Sequence, residues 1–449
     1  MHSFKEKNVG LFIRNSFHLQ SLFFLGKWLI ISGIIGLLAG SASALFLASL
    51  DWATNLRNNT PILLFFLPIA GVIVSYVYMK YGGVASKGNN LILEQIHNSK
   101  DGVPLRMAPL VLFGTIMTHL FGGSAGREGT AVQMGSSLAD AVWKRLKLSA
   151  IDRKIILVCG ISAGFGSVFG TPLAGTIFAL EVLVFGIIRY QALIPSFFAA
   201  LIGDRVTVAW GIPHAHYSLG AVPEFSVVLL LKIIIAAIIF GLTALLFSKM
   251  SQGFKTLFSA YFKNPMVKSF VGGSIVVIIV LILGTRDYIG LSLPLIHESF
   301  EGEVSPLSFF WKTLLTTMTL GAGFQGGEVT PLFTIGATLG NTLSSYLGVP
   351  TALLAGLGFI AVFAGATNTP VACFVMGIEL FGSEAAIYLF TACAISYMFS
   401  GHTGIYTAQR VGVAKSNSLE YHEESTLGNL PKSPKPKEAE LGWTRKYPS

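Results

Sequence analysis

The sequence predicts an all-α integral membrane protein, a bundle of many tilted and broken helices in two related halves. Three observations carry that expectation. Of 449 residues, 52% are hydrophobic and only 12% charged, with a mean hydropathy of +0.66. Apolar stretches near Leu22–Leu50, Pro61–Met79, Ile155–Ile188, Phe225–Phe247, Phe270–Leu283 and Ala352–Phe399 mostly reach the roughly 20 residues that a bilayer-crossing helix needs. Finally, landmarks recur in order. Thr171-Pro172 is followed nine residues after the proline by Glu181, and Thr369-Pro370 at the same spacing by Glu379. Gly126-Arg127-Glu128-Gly129-Thr130 is echoed by Gly326-Gly327-Glu328-Val329-Thr330. Two landmarks repeating in register point to an internal duplication.

The shorter apolar runs near Met107–Leu120 and Pro331–Leu347 are broken by Gly and Pro. Such backbone is tolerated at membrane depth only where protein buries it or where it lines a cavity. One integral domain is therefore expected over residues 22–410, its halves meeting near 220. A cytoplasmic segment, 1–21, precedes it, and a disordered cytoplasmic tail, 411–449, follows. The net charge of +9 could suggest a polyanion partner, but the basic residues cluster outside the apolar spans. Lys5, Lys7 and Arg14, then Lys144, Arg145, Lys147, Arg153 and Lys154, then Lys432, Lys435 and Lys437 mark cytoplasmic segments by the positive-inside rule. Both termini are expected in the cytoplasm, on the inner (plasma) membrane, with membrane lipid as the surrounding partner and no nucleic acid. No cleavable signal peptide is evident. Cys159, Cys373 and Cys393 lie in apolar stretches without metal-ligand spacing and read as small core residues.

The chemistry concentrates at Arg127-Glu128, a charged pair inside the run from Gly122 to Thr130. Its flanks, Met107 to Gly126 and Gly129 to Ala139, carry no Asp, Glu, Lys or Arg. Ionisable groups at membrane depth are costly and mark ion or substrate paths. Glycine turns opening into helices aim free N–H groups and a partial positive charge at one point, which suits an anion. In repeat-built transporters such broken helices meet at the midplane site.

These residues closely resemble the CLC family of chloride channels and proton-coupled anion exchangers. The string G-R-E-G-T-A-V-Q-M-G from Gly126 to Gly135 is similar to the family's G-R-E-G-P-x-V-Q-x-G. The segment Ser162–Glu181 is similar to its A-x-G-x-x-x-x-F-x-x-P-L-x-G-x-x-F-x-x-E. Gly323–Pro331 matches the glycine turn of the second half, and Tyr406 falls where the family keeps a pore tyrosine. The resemblance spans roughly Trp28 to Arg410. It implies an inverted-repeat homodimer with one anion path per subunit, no enzyme activity and no cofactor. It makes Glu128 the gating glutamate, whose carboxylate competes with the anion and yields when protonated. It sets N–H groups of Arg127, Glu128, Gly129, Val329 and Thr330 around an outer anion. Glu328 and Val329 amides with the Tyr406 hydroxyl would hold a central one.

Three departures bear on the ion and on coupling. Where the family usually reads Gly-Ser-Gly-Ile-Pro, this chain reads Ser86-Lys87-Gly88-Asn89-Asn90. Lys87 thus takes the anion-coordinating serine's place, either on the anion or with its stem carrying the charge to the cytoplasmic mouth. Val182 stands where many exchangers keep an internal proton glutamate, while Glu181 reads as a structural or water-lining carboxylate. Glu328-Val329-Thr330 places a carboxylate and a hydroxyl where chloride members carry apolar groups. The family's fluoride-exporting branch shares these features, and Glu328 could supply the proton step that Val182 cannot. Lys87, and the lack of phenylalanines after Asn89, favour chloride over fluoride at this stage. Proton antiport is favoured over a passive voltage-gated-type channel.

Weaker signals complete the survey. Gly160-Ile161-Ser162-Ala163-Gly164 spells the serine-hydrolase elbow, but inside an apolar helix it reads as a close-packing small-residue face. Glu94 with His97 reads as a polar cap rather than a metal pair, and Asp204-Arg205 as an ion pair at a helix end.

Overall fold

Left-handed turns followed by proline cut the long apolar runs into separate helices. The computed structural model describes residues 17–98, 102–188, 190–215, 217–415 and 425–430. The first half comprises α1 (Phe17–Asn59), α2 (Leu67–Val77), α3 (Asn89–His97), α4 (Met107–Leu120), α5 (Glu128–Leu146), α6 (Ala150–Phe169), α7 (Pro172–Glu181) and α8 (Leu193–Ala209). The second comprises α9 (Val227–Tyr261), α10 (Pro265–Leu283), α11 (Leu293–Glu301), α12 (Ser308–Gly321), α13 (Val329–Leu347), α14 (Thr351–Thr367), α15 (Pro370–Phe381) and α16 (Ala386–Phe399). The same order of long, short and broken helices thus runs twice. The sequence treats Ile155–Ile188 and Ala352–Phe399 as continuous. The chain breaks them at Gly170 (φ 73°) and at Asn368 (φ 58°), each followed by Thr-Pro. Proline cannot donate to the preceding turn, so each break opens a new helix at its first position.

Symmetry between the halves is written in their contacts. α2 packs on α10, α5 on α6 as α13 on α14, and α1 on α8 as α9 on α16. Backbone meets backbone at Gly135 against Gly160 and at Gly336 against Gly358, where a Cβ would strike the facing carbonyl. Small residues at such crossings let membrane helices approach closely. α7 and α15 cap each other. Glu181, ending α7, accepts from the N–H groups of Val371 (3.2 Å) and Ala372 (2.8 Å), which open α15. Glu379, near the end of α15, accepts from Leu173 (2.9 Å) and Ala174 (2.7 Å), which open α7. Exchange of the same bond between equivalent positions requires an antiparallel, two-fold arrangement of the halves.

Among the described residues five helical stretches are long and apolar enough to cross a membrane, one of them from Tyr190 to Ala209 that the hydropathy reading passed over. Others, such as α4, α7, α15 and α16, have only 10–14 residues. Among the described residues the one strand pair is β1 (Val184–Phe185) parallel to β2 (Arg410–Val411).

The tail departs from the expectation of a disordered segment beginning at 411. Val411 N–H donates to Ser425 O (2.9 Å), Leu427 N–H to Gln409 O (3.0 Å) and Gly428 N–H to Thr407 O (2.9 Å). Residues 425–430 therefore lie on the turn that carries Tyr406. The lysines at 432–437 and the basic residues before Phe17 fall outside the described residues.

Replacing Glu181 or Glu379 by Ala strands two helix-opening N–H groups in an apolar setting, at about 1–3 kcal/mol per unpaired group. Each Ala variant is expected to lower the thermal midpoint in detergent, and the Gln variants, which keep an acceptor oxygen, to lower it less. Midpoints equal to wild type for both Ala variants would remove the caps from the fold's support.

Candidate anion site

The site begins with backbone. Gly126 N–H donates to Gly327 O (2.6 Å), and Gly327 N–H to Gly126 O (2.8 Å). This exchange brings the starts of α5 and α13 face to face. Each start has N–H groups with no acceptor inside its helix and a partial positive charge. The approach needs the absence of a side chain. A Cβ on Gly126 would stand 2.8 Å from Pro331 Cδ and 2.9 Å from Glu128 Oε2.

The Glu128 carboxylate fills the point of convergence and is fully buried. Oε2 accepts from Arg127 N–H (3.1 Å) and from Thr330 N–H (3.0 Å). Oε1 accepts from the Thr330 hydroxyl. Arg127 Nε lies 3.7 Å from Oε1. A carboxylate from one half thus occupies the position of an anion bound by the helix start of the other. Behind it, the Thr130 and Thr115 hydroxyls share a hydrogen bond of 2.7 Å that ties α5 to α4.

Two small cavities adjoin these residues. One, about 20 Å³, is lined by Arg127, Tyr217, Thr330 and Phe333 among others. The second, also about 20 Å³, is lined by Asn89, Phe178, Val182 and Tyr406 among others. Each has room for one water-sized species. Tyr406 is buried and meets Phe178 edge-on, with ring centroids 6.4 Å apart. Its turn is anchored by Ile405 N–H on Ala366 O (3.0 Å) and by Ala408 N–H on Asn90 Oδ1 (3.0 Å).

The neighbours Asn89 and Asn90 have different surroundings in the structure. Asn90 is spent on the Tyr406 turn, whereas Asn89 lines the cavity. Asn89 Oδ1 is buried without a hydrogen-bond partner, and Nδ2 stands where a Cβ on Gly129 would meet it at 2.9 Å. A positive φ at Gly88 (60°) sets Asn89 as the first residue of α3. Val329 is buried at the start of α13. Glu328 is half-buried just before it, within electrostatic reach of Glu128, Tyr406 and Lys255.

Of the two readings that the sequence leaves open for Lys87, its side-chain contacts support the one that turns the charge toward water. Its ammonium is paired with Glu94 at 2.6 Å, with side chains 54% and 41% exposed. The flexible four-carbon stem carries the charge to water, where hydration is retained. Glu94 is thereby engaged, and His97 Nε2 lies 3.1 Å from Leu183 O. Ser162 donates to Ser196 O (2.9 Å), joining α6 to α8. Asp204 pairs with Arg205 at 3.3 Å. All three cysteines are buried and free.

Two antiparallel halves of broken helices, with a buried carboxylate held by converging helix starts, define a membrane protein for anion transport. The chain belongs to the voltage gated chloride channel (CLC) family, whose pattern matches residues 70–401. It is 49% identical over 403 residues to a chloride/fluoride channel protein of Pseudomonas syringae pv. tomato, covering 88% of this chain and 89% of that one. A solved CLC-type fluoride/proton antiporter superposes with a TM-score of 0.84 at 34% identity, covering 87% of this chain and 99% of that one. A slow cyanobacterial Cl−/H+ antiporter shares the fold, with a TM-score of 0.75 at 20% identity over 85% and 96% of the two chains.

Two substitutions separate the cluster from its surroundings. Gly126→Ala is expected to cut anion flux from liposomes by about tenfold or more, since displacing the carboxylate by even 1.4 kcal/mol is a factor of ten. Lys87→Met removes an exposed pair of about 0–1 kcal/mol and is expected to leave flux near wild type. A large loss in Lys87→Met would return Lys87 to the path.

Proposed function

We propose that this chain is a proton-coupled antiporter of fluoride, with Glu128 as the group for which anion and proton compete. The observation that carries this is the Glu128 carboxylate seated on the Arg127 and Thr330 N–H groups and the Thr330 hydroxyl. An anion reaching that point must take the same donors. Protonation removes the negative charge that holds the carboxylate there and frees the donors, so one proton and one anion exchange a single place.

Fluoride is favoured over the chloride that the sequence alone suggested. A small, strongly hydrated ion needs compact donors to replace its water, and hydrogen bonds to ions are short and strong. Thr330 contributes an N–H and a hydroxyl, and the Asn89 amide lies in the adjoining cavity. The 34% identical structure is that of a fluoride/proton antiporter. Chloride remains the second reading, because the relative at 49% identity is named for both ions. Glu328 offers the second proton station that Val182 denies, which supports antiport over a passive channel.

The proposal extends to assembly and placement: a homodimer with one path per subunit, multi-pass in the plasma membrane, both termini cytoplasmic. An apolar groove of about 630 Å³ along Leu173, Ile177, Ile194, Phe197 and Val375 supports this reading, since a second copy seated there would cover it.

The test is ion flux from liposomes loaded in parallel with fluoride or chloride, with external pH recorded. Fluoride is expected to leave faster and to drive protons uphill. Glu128→Gln is expected to pass anion without protons. Wild-type proton ratios in that variant would overturn the assignment of Glu128, and anion flow without proton movement in the wild type would make the protein a channel.

A further inference from the structure

A second cationic site lies away from the Lys87 end of the molecule. Lys27, near one end of α1, binds Asp152 at the start of α6 (2.7 Å). Arg57 lies near the other end of α1, about 45 Å along the helix at 1.5 Å per residue. Around Arg57 opens a cavity of about 480 Å³ that also takes in Arg127 and Ser292 and is rimmed by Asp51, Arg286, Asp287 and Glu298. Arg57 and Ser292 are buried, Arg127 is half-buried, and the four rim residues are exposed.

At the Arg57 end the floor carries positive charge without a carboxylate beside it, whereas at the other end Arg127 faces Glu128 at 3.7 Å. Arg57 donates through Nη1 to His119 O (2.8 Å) and through Nη2 to Asn58 Oδ1 (3.3 Å). Two hydrogen bonds thus engage a group with five N–H donors. Behind Ser292, the fully buried Lys312 donates to Tyr288 O (3.1 Å), Gly290 O (2.8 Å) and Ser292 Oγ (2.9 Å). Among the described residues no carboxylate lies within ion-pair distance of Arg57 or Lys312. Arg127 Nε is buried without a hydrogen-bond partner, 3.7 Å from Glu128 Oε1. Buried charges left unpaired are costly. Where they border a water-filled opening, a mobile anion offsets that cost.

We propose that the vestibule floor between Arg57 and Arg127 is an outer anion station, separate from the place held by Glu128, that loads the transported anion. It rests on the transport function proposed above. Arg127 belongs to both places: its main-chain N–H holds Glu128 Oε2, and its guanidinium lines the vestibule. An anion on the floor therefore waits beside the carboxylate it will replace. Lys312 takes no direct contact and acts by fixing Ser292 and by its charge. The acidic rim residues are exposed, and water and salt screen them over a Debye length of about 10 Å.

The test is fluoride flux against fluoride concentration for the full-length chain in liposomes. Arg57→Gln is expected to raise the half-saturating concentration roughly tenfold, the lower end of electrostatic focusing in a charged cleft, with the maximal rate unchanged. Arg57→Lys, which keeps the charge, is expected to recover most of the loss. An unchanged half-saturating concentration overturns the station. So does a fall in maximal rate alone, which would mean that Arg57 only braces the Gly122 turn through His119. Calorimetric titration of fluoride into the detergent-purified chain gives an independent reading. Should the wild type carry no anion in liposomes, the transport function fails. The titration still decides the station, since weaker binding in Arg57→Gln supports it and identical curves overturn it.

Discussion

Two main-chain hydrogen bonds between Gly126 and Gly327 hold the starts of α5 and α13 against each other, and the Arg127-Glu128 pair is arranged around that contact. Bringing two helix starts together concentrates two partial positive charges where water is scarce. Left alone, the arrangement would be repulsive. The Glu128 carboxylate supplies the compensating charge, with donors from both helices. The buried carboxylate and the converging helix starts therefore stabilise each other. A group that takes the carboxylate's place on these donors must supply the same negative charge, so the contact favours one charge sign before any side chain selects for size.

Holding that contact demands rigidity behind it. The α5–α6 and α13–α14 crossings supply it through glycines whose backbones touch, in matching positions of the two halves. A dense aromatic layer adds to this. Phe333 stacks on Phe359 at 4.0 Å, and Phe165 on Phe178 at 4.5 Å, the latter meeting Tyr406. On the sides lined by Phe333 and by Phe178 with Tyr406, this packing leaves voids of about 20 Å³, too small for an ion with a full hydration shell.

Much of this was legible in the sequence, because backbone-level demands write themselves into residue type. Glycine turns, the isolated Arg127-Glu128 pair and the Thr-Pro breaks each have few residues that can serve, so the repeat and the helix starts could be read directly. What stayed hidden depends on side-chain direction. Lys87 sits at the right place in the chain, yet its stem is long enough to reach Glu94 and water. Asn89 and Asn90 differ only in which way one turn of helix points them. Arg57 and Lys312 carried no signal, since a basic residue near the end of an apolar helix is common and usually faces headgroups. Only the fold brings Arg57 to the vestibule and Lys312 behind its Ser292. The tail likewise looked detached by composition, while residues 425–430 return to the Tyr406 turn through backbone bonds that composition does not encode.

The crossed carboxylate caps have a further meaning for how the chain is built. α7 is completed by Glu379, which the ribosome adds about two hundred residues later. Until then its opening N–H groups have no acceptor from their own half, and lipid offers none. The first half can therefore enter the membrane but not settle there. Synthesis of the second half closes both helices at once, so the duplicated protein matures as a single unit rather than as two modules joined in sequence.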